Sequence, residues 1–202
     1  MKRWFPLVLL FLTAFAPSST FGQSGDASAA TDHSAPSYDM KPQALLDLEN
    51  VQKKFAELAA AVPADKFNWR PSPDARSFAK LFLHVAGERY GILALMGAQT
   101  PADIDLKTME KSTTDQARIV ADLNKSWDFA KKNIQSMANS DFAKPIPKLG
   151  PEANAGDVVY ILVSDAHEHL GQAIAYARQN GIVPPWTVEA QKQAAAKKAQ
   201  SK

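Results

Sequence analysis

Between residues 42 and 180, large apolar residues recur every three or four positions in four separate stretches, and no other feature of the sequence constrains the fold as strongly. That spacing is the repeat of one face of an α-helix. Leu45, Leu48, Val51, Phe55, Leu58 and Val62 mark the first stretch, from about Pro42 to Val62, and Pro63 ends it. Ser77 is a good N-cap for the second, which runs to about Ala98. This stretch is apolar on nearly every side (Phe78, Leu81, Phe82, Val85, Ile92, Leu93, Leu95, Met96), so it must be buried. The third, about Asp115 to Ala138, places Ile119, Leu123, Trp127, Ala130, Ile134 and Met137 on one face. The fourth extends from about Ala155 to Asn180; Gly181 sits where a helix C-terminus favours glycine, and Pro184-Pro185 forbids continuation. No stretch alternates with period two, and no glycine-rich phosphate loop is present. The sequence therefore predicts an all-α protein, an antiparallel four-helix bundle with moderate to long connections.

The two ends read differently. Lys2 and Arg3 precede an apolar run from Trp4 to Ala16, the length of a signal-peptide core and too short for a bilayer span. Cleavage after Thr20-Phe21-Gly22 fits best. The expected organisation is a signal peptide at 1–22, a flexible Ser/Ala/Gly-rich linker at 23–41, the bundle at 42–186 and a solvated, frayed Lys/Ala-rich tail at 187–202. The protein is expected to be periplasmic or secreted, with no stable membrane anchor once the leader is removed. Loss of the leader takes away two cations and leaves 21 basic and 21 acidic residues. A neutral chain lacks the basic face that phosphates require, so no nucleic-acid partner is expected. A homodimer is compatible with a bundle, although no decisive surface stripe marks one.

With no cysteine in the chain, His, Asp and Glu are left as the strong candidate metal ligands. Of four histidines, His33 lies in the linker, while His84, His167 and His169 fall on the two most apolar helices. On the fourth helix Asp165, His169, Gln172 and Tyr176 follow one another at spacings of four, three and four. They form one polar row beside the apolar stripe, whereas His167 falls on its opposite border. A carboxylate and an imidazole one turn apart can share an ion, and a third ligand must come from a neighbouring helix. His84 is the histidine available there, with Glu88 one turn later on the same face and the best candidate for a general base. The expected site is thus His84, Asp165 and His169. Such a set suits a divalent zinc, nickel or ferrous ion and leaves room for a small-molecule substrate. The competing structural reading makes these histidines interfacial hydrogen-bonding residues and pairs Asp165 with a Lys or Arg. His167-Glu168-His169 is not a zincin motif, since its histidines point to opposite sides. Gln172 and Tyr176 are candidates to orient a ligand. Trp69 and Trp127 read as loop and core anchors, and Arg178 as a cation favouring the helix C-terminus.

The stretch from His167 to Pro185, with its His-x-Gly-Gln…Asn-Gly…Pro-Pro pattern, resembles the end of the DinB superfamily domain. Trp69-Arg70-Pro71 and Arg76-Ser77-Phe78 leading to Leu83-His84-Val85-Ala86 extend the likeness, in order, over roughly Pro42 to Trp186. The resemblance implies a four-helix bundle with a three-histidine divalent metal site, one ligand from the second helix and a His-x-x-x-His pair from the last. His84 and His169 match two of those ligands. The third falls on Asp165, a carboxylate that changes the net charge and metal preference of the site. The family includes metal-dependent thiol transferases and a thiol-dependent isomerase, so the resemblance implies a metal-dependent transferase. Export favours a hydrolytic or lyase-like reaction instead, because small thiols are chiefly cytosolic. The alternative is a non-catalytic, stress-related bundle that binds a metal or small ligand.

Overall fold

The computed structural model describes residues 39–201. The expected signal peptide, and the linker up to residue 38, lie outside the described residues. All regular structure among the described residues is helical: α1 (Met40–Ala61), α2 (Phe78–Ala94), α3 (Gln116–Ser136), α4 (Ala155–Gln179) and α5 (Pro185–Gln200).

Local chemistry sets the ends of each helix. Asp39 accepts a hydrogen bond from the Lys41 amide and starts α1 two residues ahead of the expected Pro42. Ser77 caps α2 as expected, and Asp115 caps α3 by accepting from the Arg118 amide at 2.8 Å. Asn154 and Asp157 satisfy each other's backbone amides at the start of α4, a reciprocal capping box. α2 stops at Ala94, short of Ala98, because Gly97 takes a left-handed conformation (φ 89°) and the Ala98 amide turns back to the Leu93 carbonyl. At the end of α4, Gly181 (φ 71°) lets the Ile182 amide reach the Ala177 carbonyl at 2.9 Å and its own amide reach that of Arg178 at 3.1 Å. That is a Schellman closure.

The core is the four expected stripes turned inward. Phe55, Leu58, Phe82, Leu81, Ile119, Leu123, Ile134, Leu162 and Ala173 are essentially without solvent access. Phe82 meets Phe55, Phe67 and Phe78 at ring separations of 6.1–6.4 Å. α1 packs on α3 and α4, and α2 packs on the same two helices, so successive helices α1 and α2 lie across a diagonal, as do α3 and α4.

Side-chain pairs give the directions. Gln52 meets Asn124 and Lys41 meets Met137, so α1 and α3 are antiparallel. His84 beside His169 and Phe78 beside Tyr176 make α2 and α4 antiparallel. Met40 lies near Gly156 while Asp47 binds His167, so α1 and α4 run parallel. Arg89 bonds at Leu123 and Ser126 while Tyr90 packs on Phe129, and α2 and α3 run parallel too. Parallel neighbours need a crossover. Residues 95–115 provide it, returning along α2 and ending where Gln116 reaches the terminal carbonyls of α1 at Ala59, Ala60 and Val62.

The expected frayed tail is corrected: α5 is a regular helix. Pro184-Pro185 ends α4, but Pro185 then occupies the first turn of a new helix, where proline's fixed φ is favourable. The Ala-, Lys- and Gln-rich sequence beyond it consists of good helix formers. No residue of α5 is buried; Trp186 is partly covered and lies under the Lys54 ammonium, 5.8 Å from ring centre.

Candidate metal centre

On α2, residues 84, 87, 88 and 91 share one face by helical spacing, and on α4 residues 165, 169, 172 and 176 do the same. Antiparallel packing of the two helices sets these faces against each other. The His84 and His169 rings meet perpendicularly, centroids 4.8 Å apart, with side chains only 15% and 12% exposed. Glu88 stands between them: His84 Nε2 lies 2.8 Å from its Oε1 and His169 Nε2 lies 3.3 Å from its Oε2. One ligand atom from each of His84, Glu88 and His169 falls within 4.8 Å of the others, an arrangement able to hold a metal ion. Asp165 stands at the edge of this group, its Oδ1 3.4 Å from His169 Nε2. Of the three residues expected from the sequence, the structure brings His84 and His169 together around Glu88 and sets Asp165 beside His169.

Both imidazoles are held from behind. His84 Nδ1 donates to Glu110 Oε1 at 2.7 Å, and Glu110 is gripped by Arg76 through Nε (3.2 Å) and Nη2 (3.3 Å). His169 Nδ1 donates to Gln172 Oε1 at 3.1 Å, and Gln172 Nε2 donates to the Tyr176 hydroxyl at 3.0 Å. Tyr176 is wedged between Trp69 and Phe78. A ligand histidine whose second nitrogen is tied to a carboxylate or amide oxygen presents the first nitrogen in a fixed direction. Both Nε2 atoms are thereby aimed at Glu88.

The donor chemistry fits a cation. An unprotonated Nε2 facing a carboxylate oxygen at 2.8 Å would oppose two lone pairs, so a proton or a metal ion must lie between them. Glu88 Oε2 is buried and lacks a well-formed hydrogen bond, although His169 Nε2 stands 3.3 Å from it. A divalent ion would satisfy that oxygen and accept the lone pairs of the two Nε2 atoms.

The electrostatics divide the two carboxylates. Burial works to raise the Glu88 pKa, but the influence of His169 and His84 beside it outweighs that and holds the group well below the usual carboxylate range. Asp165 is raised, chiefly by burial and by the charge of Glu88, against the pull of His169. Asp165 and then Glu88 push His169 up to about 10, over the opposing effect of burial. Neighbouring carboxyl groups driven in opposite directions are the usual arrangement of one permanent anion and one proton carrier.

His167 does not join the site. Half exposed, it bonds Asp47 of α1 at 2.9 Å, an ordinary interhelical contact. Trp127 is a core residue as expected. Glu110 was missed altogether by sequence reasoning, since it lies in an aperiodic polar connection and nothing in its spacing links it to His84. Glu88 could be found, one turn after His84, but its place between both histidines could not.

Solved structures of similar fold accord with this arrangement of helices. A DinB-like protein from Bacillus cereus ATCC 10987 aligns with a TM-score of 0.63 at 14% identity, covering 71% of this chain and 95% of its own. A conserved protein from Enterococcus faecalis gives 0.57 at 18%, covering 70% and 97%. YfiT from Bacillus subtilis, described as a probable metal-dependent hydrolase with an unusual four-helix bundle topology, gives 0.58 at 14%, covering 74% and 92%. No curated protein matches the chain. The sequence profile of the DinB superfamily matches residues 47–173, more than half of the chain. By that match, and with the bundle and its paired histidines in place, the chain belongs to the DinB superfamily.

Proposed function

We propose that His84, Glu88 and His169 hold a divalent metal ion and that the protein is a metal-dependent hydrolase or group-transfer enzyme. The observation that carries this reading is the convergence of two back-tied Nε2 atoms on the Glu88 carboxylate, one on each oxygen, with Oε2 buried and without a hydrogen bond. Two nitrogens and one oxygen suit zinc, nickel or ferrous iron, and three protein ligands leave a position for substrate. When bound, such an ion supplies Lewis acidity and with it a nucleophile at neutral pH. Glu88 stays ionised and fixes the geometry. Asp165, with its raised pKa, takes up and returns the proton at its carboxylate. Gln172 and Tyr176 keep His169 in the required tautomer, and Glu110 does so for His84. The leader read at residues 1–22 assigns the reaction to the periplasm or the exterior, where hydrolysis suits the compartment better than thiol transfer. YfiT, of the same fold, is described as a probable metal-dependent hydrolase, which agrees with the reading.

Elemental analysis of protein purified without a histidine tag tests it. The wild type should carry close to one divalent ion per chain and His169→Ala none, while Asp165→Asn should retain the metal. Metal-free wild type, or metal kept by His169→Ala, would remove the proposal.

A further inference from the structure

Gly87 and Gly91 stand one turn apart in the middle of α2, and neither has a left-handed backbone. Nothing in the backbone requires glycine there, and alanine would favour the helix more. Close neighbours do not require it either. A Cβ at Gly87 would meet only Met109 Sδ at 3.6 Å, and one at Gly91 only Leu106 Cδ1 at 4.0 Å, both ordinary contacts. What the two glycines provide is open space. They line a groove of about 200 Å³ between α2 and the crossover, walled by Leu106 and Met109 and reaching His84 and Glu88 of the metal centre.

Shape and chemistry together define what fits. The groove follows α2 from residue 84 to residue 91, about 10 Å of helix at about 1.5 Å per residue. It is long for its volume and suits a chain rather than a ring. No lysine or arginine lines it, and every polar side chain that does is committed elsewhere. Glu88 belongs to the metal centre, Glu110 is shared by His84 and Arg76, and both nitrogens of His84 face carboxylates. No group is left over to receive a charged head, so the groove offers a ligand apolar contact alone. An apolar cavity of about 150 Å³ takes a benzene-sized molecule, so this one has room for about seven carbons.

We propose that this groove seats an unbranched alkyl chain, the tail of the substrate, whose reacting group lies at the His84 and Glu88 end. That the chain belongs to a substrate rests on the metal-dependent reading above; its binding in the groove does not. Straight-chain alcohols, from butan-1-ol up to decan-1-ol, test the claim when titrated into the full chain, zinc-loaded and chelated, with the Leu106 and Met109 amide signals followed by NMR. Affinity should rise about fourfold with each methylene and level off near about seven carbons. In Gly87→Ala/Gly91→Ala the two added methyls should bring that plateau about two carbons earlier, with the same metal content and no lower melting temperature. Should that variant fold poorly, Leu106→Trp, filling the groove from its exposed side, should shorten the preferred chain in the same way. Affinity still climbing at decan-1-ol, or a plateau that neither variant moves, would overturn the proposal. So would hexylammonium or hexanoate binding more than about tenfold tighter than hexan-1-ol, since charge would then outweigh the chain. The expected plateau in a protein that takes up no metal would keep the groove and remove the metal reading; stoichiometric metal without alcohol binding would do the reverse.

Discussion

At His84 and His169 a histidine becomes a ligand through what stands behind it. Each ring commits Nδ1 to a neighbour, Glu110 or Gln172, and so has a single direction left for Nε2. The two supports differ in origin. Gln172 lies three residues beyond His169 on the same helix, and the spacing alone reveals it. Glu110 arrives from a different part of the chain, 26 residues away, and holds His84 with help from Arg76. Glu110→Ala should therefore leave the ligands in place but let the His84 ring turn. Zinc affinity, measured by competition with a chromophoric chelator, should fall by about ten- to a hundredfold. Unchanged affinity would show that the carboxylate serves only Arg76.

Among the elements, the helix ends follow their caps closely, and α5 shows the limit of reading composition as disorder. A polar, lysine-rich stretch without an apolar face predicts a frayed tail, yet alanine, lysine and glutamine with proline at the first turn favour a helix without any packing partner. Because no α5 residue is buried, the helix adds little to the stability of the bundle. Deleting residues 188–202, which keeps Trp186 against Lys54, should change the unfolding free energy by less than about 0.5 kcal/mol in urea titration. A larger loss would mean that α5 is covered by something in solution. α2 carries the opposite burden: one helix buries Phe78, Phe82 and Leu93 in the core and still presents His84 and Glu88 to the site. Its apolar residues on nearly every side made that burial legible from the sequence.

Across the whole molecule the site couples to folding through protons. His169 is raised from 6.5 to about 10 by Asp165 and Glu88. In chelated protein the stabilisation from its imidazolium is fully present below the unfolded value of 6.5 and is lost as pH rises through about 10. Asp165, also raised, contributes with the same sign at lower pH. The difference in unfolding free energy between the wild type and His169→Gln, both with chelator, should accordingly shrink between pH 6.5 and 10. A difference constant across that range would place the proton elsewhere.

The sequence alone determined four buried helical faces, the caps at Ser77 and Gly181 and the pairing of His84 with His169, because periodicity and capping act within a few residues of their cause. It did not determine that α2 and α3 run parallel, nor that the crossover between them brings Glu110 against His84. Those follow from which faces pack together, a choice made among contacts far apart in the chain. The same packing placed Glu88 between the imidazoles, left Asp165 at their edge and delivered Glu110 behind His84. Carboxylates on a polar helix face look alike in sequence; only the distance to a neighbouring helix gives each a separate role.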